Sequence, residues 1–210
     1  MSKKSEFILD GLNKLISNPR CELEFNKDYE LLLAVMLSAQ TTDKRVNMVT
    51  SELFKKYDTL EKLQTLTIPE IEEQIKTIGM YKTKARNFKE IVNDLIKIGY
   101  VPNDREVLES MSGVGRKTTN VVLSVLYNEP LIAVDTHVDR VSKRLGLAKE
   151  DDTVLDVENK LKKAFPKNTW TRLHQQLVLF GRYTCKSKNP ECNICPFKDI
   201  CKYYKNVVKK

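Results

Sequence analysis

Nowhere in its 210 residues does the chain hold an apolar run approaching the roughly 18 residues that a membrane-crossing helix needs. No stretch of useful length alternates apolar and polar residues, so strands are not expected. Glycine and proline number seven each, and they gather in no flexible linker; any two domains must therefore share helices or be discontinuous. The opening MSKKSEFILDGLNKL carries charges through its apolar positions and lacks a small-residue cleavage site, unlike a secretory signal. With no long basic extension either, the expected location is a bacterial or archaeal cytoplasm. In such a setting five cysteines are thiols or metal ligands before they are disulfides.

What the chain does have is charge and helical periodicity. Lys and Arg total 36 against 28 Asp and Glu, a formal net charge of +8 that suits a polyanion such as nucleic acid. Ile8, Leu9, Leu12, Leu15 and Ile16 share one face of a helix over 5–17. Residues 28–39, DYELLLAVMLSA, are apolar nearly all round and read as a buried helix. Further helices are expected over 43–56, from the capping box Thr67–Glu70 to about 76, and from Lys82 to about 98. Asp104 caps the next, Asp135 caps one over 136–145, and two more follow at about 153–164 and 169–183. The fold expected is all-α, with around ten helices.

One stretch stands out: Leu108–Arg140, LESMSGVGRKTTNVVLSVLYNEPLIAVDTHVDR. Gly113 and Gly115 let the chain reverse tightly between two helices. The second, about 116–127, starts with free amides and the positive end of its dipole, a ready anion site. Lys117 sits one residue inside that start, beside Arg116. A cation is disfavoured there, so the neutral, nucleophilic amine should be easier to reach. By itself, Gly-x-Gly also serves ordinary helix–turn–helix connections, with Lys117 a solvated lysine.

Cys185, Cys192, Cys195 and Cys201 form C-x6-C-x2-C-x5-C within seventeen residues, close enough to surround one metal centre. A zinc site, an iron–sulfur cluster and two disulfides all match four cysteines, and disulfides fit an intracellular setting poorly. A zinc ribbon prefers two C-x2-C pairs and one is present, but spacing alone leaves zinc and iron–sulfur open. Arg182, Lys186, Lys188 and Lys198 make the surroundings basic, suited to a phosphate backbone. Cys21 stands apart.

Hairpin, lysine, VDTH aspartate and cysteine spacing together closely resemble the endonuclease III family of DNA glycosylases, in the helix-hairpin-helix superfamily. LLLAVMLSAQTTD and IKTIGMYKTKARN match it in type and order, so the resemblance spans nearly the whole chain. It implies two α-helical domains with the active site in the cleft between them. One is a six-helix barrel over 22–131, with its hairpin at about 104–127; the other joins 1–21 to 132–210 and carries an iron–sulfur loop at 185–201. It implies base excision repair: a bifunctional N-glycosylase and abasic-site lyase that flips an oxidised pyrimidine out of duplex DNA. Lys117 would attack the anomeric carbon and form a Schiff base, Asp135 would stabilise the developing cation, and β-elimination would cut 3′ to the lesion. Gln40 would fill the gap left by the flipped base and Met80 would wedge beside the orphaned base, where relatives often carry leucine. Gly113, Val114, Gly115, Arg116 and Lys186 would hold DNA phosphates. The four cysteines would bind a 4Fe–4S cluster that holds a DNA-binding loop in place. His137 is structural in this reading and His174 carries no role. The implied partner is duplex DNA with damaged bases or abasic sites, and the implied enzyme a nucleoid-associated monomer.

Family hairpins commonly read Leu-Pro-Gly-Val-Gly where this chain has Met111-Ser112-Gly113-Val114-Gly115, a loss that removes no donor. Mismatch-specific relatives lack a lysine at position 117, and adenine-removing relatives are longer. Three other readings compete: a same-fold glycosylase for another lesion or mismatch, an iron–sulfur electron carrier, and a catalytically silent DNA-binding module.

Overall fold

The computed structural model describes residues 1–208, and these are helical with no strand among them. Eleven α-helices follow in order: α1 Lys3–Leu15, α2 Asp28–Leu37, α3 Asp43–Lys56, α4 Leu60–Thr65, α5 Ile68–Ile75, α6 Tyr81–Ile98, α7 Arg105–Ser110, α8 Arg116–Tyr127, α9 Thr136–Arg144, α10 Val154–Ala164 and α11 Trp170–Tyr183. The all-α expectation holds. Most helix bounds fall within a residue or two of those read from periodicity; α4, six residues long, had no counterpart in that reading. No helix among the described residues is long and apolar enough to cross a membrane.

The chain divides into two compact units. One is continuous, Cys21–Tyr127, and the other joins residues 1–20 to the chain from Asn128 onward. In the continuous unit α2 is the central element. Leu31 through Leu37 are all buried on every side, and α3, α6 and α8 pack around them. Its N-terminus is closed by Glu30, a buried carboxylate that accepts from the Asn26 and Lys27 amides at 2.6 and 3.2 Å. The four orphan amides of a helix start and the positive dipole end make that a favourable place for a buried negative charge. The capping box read at Thr67 forms as expected, with the Thr67 amide donating to Glu70 at 2.8 Å. α5 and α4 then lie against α6, whose inner stripe Ala85, Phe88, Ile91, Val92 and Leu95 is fully buried.

The discontinuous unit is built on α11, which packs against α9 and α1, while α10 packs on α9. Ile8 and Leu12 of α1, Val138 and Val141 of α9, Leu161 of α10, and Leu173, Leu177 and Phe180 of α11 form one core. Phe197, from the cysteine loop, completes it. Its ring meets Phe180 edge-on at 5.4 Å and Phe7 at 6.1 Å. It lies so close to Gly11 that a Cβ added there would sit 2.4 Å from the ring. Glycine on α1 is thus the seat for an aromatic from the far end of the chain.

Candidate active site and cysteine loop

The hairpin is set by two fixings. Arg105 at the start of α7 donates to the buried Asn120 of α8 at 2.7 Å and to Glu109 at 2.7 Å, so the two helices are tied side chain to side chain. The turn between them is tied to α6: Ser112 donates to Glu90, and Gly113 lies over Asn87. Gly113 has φ +74°, and an added Cβ would meet Asn87 Nδ2 at 2.3 Å. Conformation and space both demand glycine here. Val114 points inward, only 4% exposed, and its amide is already bonded to the Met111 carbonyl at 3.1 Å. The amides available to an anion are therefore those further on, at the first turn of α8, where helix geometry supplies no acceptor. Gly115 precedes α8 and has no side chain with which to cap it. Arg116 and Lys117 are exposed on that first turn.

Asp135 is the N-cap of α9, in extended conformation, and its Oδ1 accepts from the His137 and Val138 amides at 2.9 and 2.8 Å. Both bonds fall on one oxygen, so Oδ2 takes no part in the cap. The cap read from sequence is present, and it leaves the carboxylate half-buried with one oxygen open to other chemistry. Lys117 belongs to the continuous unit and Asp135 to the discontinuous one.

Gln40 and Met80 both have left-handed backbones, φ 54° and φ 57°, and both side chains are exposed, Met80 by 53%. Two non-glycine residues in that region are held there by their surroundings, at a cost of about 1–2 kcal/mol each. The surroundings include a residue that the sequence reading passed over. Lys84 is 3% exposed, and its ammonium donates to the Leu37 carbonyl at 2.8 Å, the Ala39 carbonyl at 2.6 Å and the Thr41 hydroxyl at 3.2 Å. Burial pulls its pKa down from the ordinary lysine value. A signal was available: 84, 88, 91 and 95 form the buried stripe of α6, and a lysine in such a stripe must find acceptors.

In the discontinuous unit, Cys185, Cys192, Cys195 and Cys201 line one cavity, with Phe180 and Leu145 among its walls and an empty space of ≈ 350 Å³ that opens in part to solvent. No disulfide joins these four cysteines. Among the described residues no three His, Cys, Asp or Glu side chains converge closely enough for a single metal ion. Burial pushes the Cys195 thiol up to about 11 and, with the neighbouring thiols, raises that of Cys192. Four thiolates around this space therefore need a positive group to balance them. The loop hangs on two arginines of α9. Arg140 donates to the Gly181 and Cys185 carbonyls at 2.7 and 3.2 Å. Arg144, buried and stacked 4.0 Å from the Tyr203 ring, donates to the Lys186 and Ser187 carbonyls at 2.7 and 3.0 Å. These arginines lie in a helix whose spacing marked only Asp135 for attention. Lys186 is ion-paired to Glu191 at 2.7 Å, so much of its charge is met within the loop.

Packing side by side and joined by a Gly-Val-Gly turn, α7 and α8 define a helix-hairpin-helix element within an all-helical chain. Residues 33–167 match the model of the HhH-GPD superfamily of base excision DNA repair proteins. An endonuclease III of Bacillus subtilis strain 168 is 45% identical over 202 residues, covering 95% of this chain and 92% of the relative. A solved structure of a trapped endonuclease III–DNA covalent intermediate, an estranged-adenine complex, is 46% identical with a TM-score of 0.92, covering 98% of each chain. A non-covalent endonuclease III–DNA complex is 45% identical with a TM-score of 0.95, covering 100% of each. The chain belongs to the HhH-GPD superfamily and, within it, to the endonuclease III family.

Two outcomes follow from this geometry. Gly113→Ala is expected to lower stability by about 1–2 kcal/mol in urea unfolding, because alanine resists positive φ and displaces Asn87. Gly115→Ala, where an added Cβ meets nothing within 4 Å, is expected to cost less. His137 gives a pH test. Arg140 can only donate, so the 3.1 Å contact to His137 Nδ1 requires that nitrogen to be unprotonated. Burial, with Arg140 and Arg182 adding to it and Asp135 opposing, holds its pKa below the ordinary 6.5. Its contribution is complete above that unfolded value and is lost as pH falls through the lowered folded one. The difference in Tm between the wild type and His137→Gln is expected to narrow as the pH is brought below 6.5.

Proposed function

We propose that the chain is a bifunctional DNA glycosylase and abasic-site lyase that removes oxidised pyrimidines from duplex DNA. The observation that carries this reading is an exposed lysine one residue inside the start of α8, in a chain 46% identical to a relative solved as a trapped covalent DNA intermediate. A covalent intermediate needs a nucleophile, and Lys117 is the group of that chemistry on the hairpin. The deprotonated Lys117 amine attacks the anomeric carbon of the flipped nucleotide, and the glycosidic bond breaks as the base leaves with a proton. Ring opening gives a Schiff base between Lys117 and the sugar. Loss of a proton from the adjacent carbon then breaks the bond to the 3′ phosphate oxygen, and water later frees the lysine. Asp135, fixed as the cap of α9, offers Oδ2 to the cationic sugar as charge develops.

In this reading the first-turn amides of α8 hold the phosphate backbone, with Gly113, Val114, Gly115 and Arg116 shaping the turn and Lys186 contributing from the cysteine loop. Val114 serves this through its inward packing, since its amide is committed to Met111. Gln40 fills the gap left by the flipped base, and Met80 supports the base stacked next to it. Cys185, Cys192, Cys195 and Cys201 would hold a 4Fe–4S cluster. What supports this reading is four thiols lining a single cavity, in a chain of the endonuclease III family. The group would supply no step of the reaction; it would fix the loop that Arg140 and Arg144 already brace. The protein works in this reading as a monomer on the cytoplasmic nucleoid.

Borohydride trapping on a duplex containing thymine glycol tests the mechanism. The wild type is expected to form a covalent adduct, Lys117→Ala none, and Asp135→Asn far less. Base release without an adduct would place the chain among monofunctional relatives and remove Lys117 from its role. Metal analysis tests the cysteine loop: iron and inorganic sulfide are expected in equal amounts, and stoichiometric zinc in their place would overturn the cluster.

A further inference from the structure

Lys84 lies outside everything that the hairpin chemistry uses, yet it is the most deeply buried amine in the site's neighbourhood. Its ammonium has three hydrogens and meets three acceptors, at 2.6–3.2 Å, on the turn that follows α2. Leu37 presents the last carbonyl of α2, at the negative end of its dipole, and Ala39 a carbonyl of the turn just beyond it, so charge and geometry agree. The turn carries Gln40. Lys84 itself stands one turn into α6, directly after Met80, whose carbonyl accepts from the Lys84 amide at 3.0 Å. The same residue therefore holds one turn by its side chain and the other by its backbone. The turns are neighbours: a Cβ at Gly79 would sit 3.8 Å from the Gln40 carbonyl.

We propose that Lys84 is a positioning residue that locks the Gln40 turn and the Met80 turn into one rigid edge, so that two exposed side chains on strained backbones are presented to the duplex as a pair. This rests on the glycosylase reading for what the edge does, and on the hydrogen bonds alone for the edge's existence. Lys84 itself touches no DNA and acts only through Gln40 and Met80. Without it, the Leu37 and Ala39 carbonyls would seek water, and the left-handed conformations at 40 and 80 would have less to hold them.

The test is a double-mutant cycle on single-turnover base release from a thymine glycol duplex, with Lys84→Met, Gln40→Ala and the double variant. Lys84→Met is expected to slow release by about tenfold, and to add less than about twofold when Gln40 is already alanine. Multiplicative effects, or release by Lys84→Met within about twofold of the wild type, would overturn the proposal. Borohydride trapping on a single-stranded abasic site, which needs no filling of a duplex gap, should remain within about twofold, as a generally damaged fold would not allow. Amide exchange reads the clamp without reference to activity: Ser38, Thr41 and Ile78 should lose protection in Lys84→Met while α8 keeps its own. If the wild type releases no base, the glycosylase reading fails and the exchange result alone decides whether the clamp exists; unchanged protection sinks it. Should Lys84→Met not fold, Thr41→Val, which deletes one acceptor and keeps the lysine, takes its place in the same exchange measurement. Lost protection at Ser38 and Ile78 then supports the clamp, and unchanged protection overturns it.

Discussion

Each helix begins with amides that its own hydrogen bonding cannot satisfy, and in this molecule side chains meet many of them. Ser2, Thr42, Thr59, Thr67, Asp104, Asp135 and Thr153 each turn an oxygen onto the first turn of the helix that follows. α8 has glycine before it and no such oxygen, while its first turn shows Arg116 and Lys117 to solvent. The positive dipole end and the exposed Lys117 at one place favour an anion there. The rest of the continuous unit holds that surface at a fixed angle. Arg105–Asn120 sets α7 against α8, and Asn87 and Glu90 hold the turn onto α6.

Unmet backbone groups shape the cysteine loop as well, with the polarity reversed. An irregular loop leaves carbonyls rather than amides in want of partners. Arg140 and Arg144, successive on one face of α9, gather three of those carbonyls and one more, that of Gly181, from the end of α11, and their planar forks suit several acceptors at once. α9 thus begins with a carboxylate that caps it and continues into two guanidinium groups that brace the loop. The residue read as an electrostatic partner and the residues that shape the metal-binding loop share one short helix.

Helix periodicity and capping were legible in the sequence because both are local. Asp104, Thr67 and Asp135 were placed at helix starts on sequence grounds, and each accepts from the amides expected. The four-cysteine spacing was legible for the same reason. α4 was not, since six residues give too little periodicity to stand out from a turn. Lys84, Arg140 and Arg144 were not either: their partners lie more than forty residues away in sequence, and a buried cation reads on paper as a surface one. The left-handed backbones at Gln40 and Met80 have no sequence signature at all, because neither residue type favours that conformation. What the sequence marked at those two positions was chemistry; what it omitted was the strain that presents it.

The seating of Phe197 on Gly11 has a consequence for how the molecule comes to be made. Residues 21–127 form a compact unit of their own and can close as soon as that length of chain is available. The apolar face of α1, which precedes that unit in the chain, has no such option: Ile8 and Leu12 share their core with Leu173, Leu177 and Phe180. During synthesis that face waits, uncovered, for α11 and for Phe197 of the cysteine loop. α1 is thus made well before most of its partners, and over that interval its apolar face is open to a chaperone or to another chain.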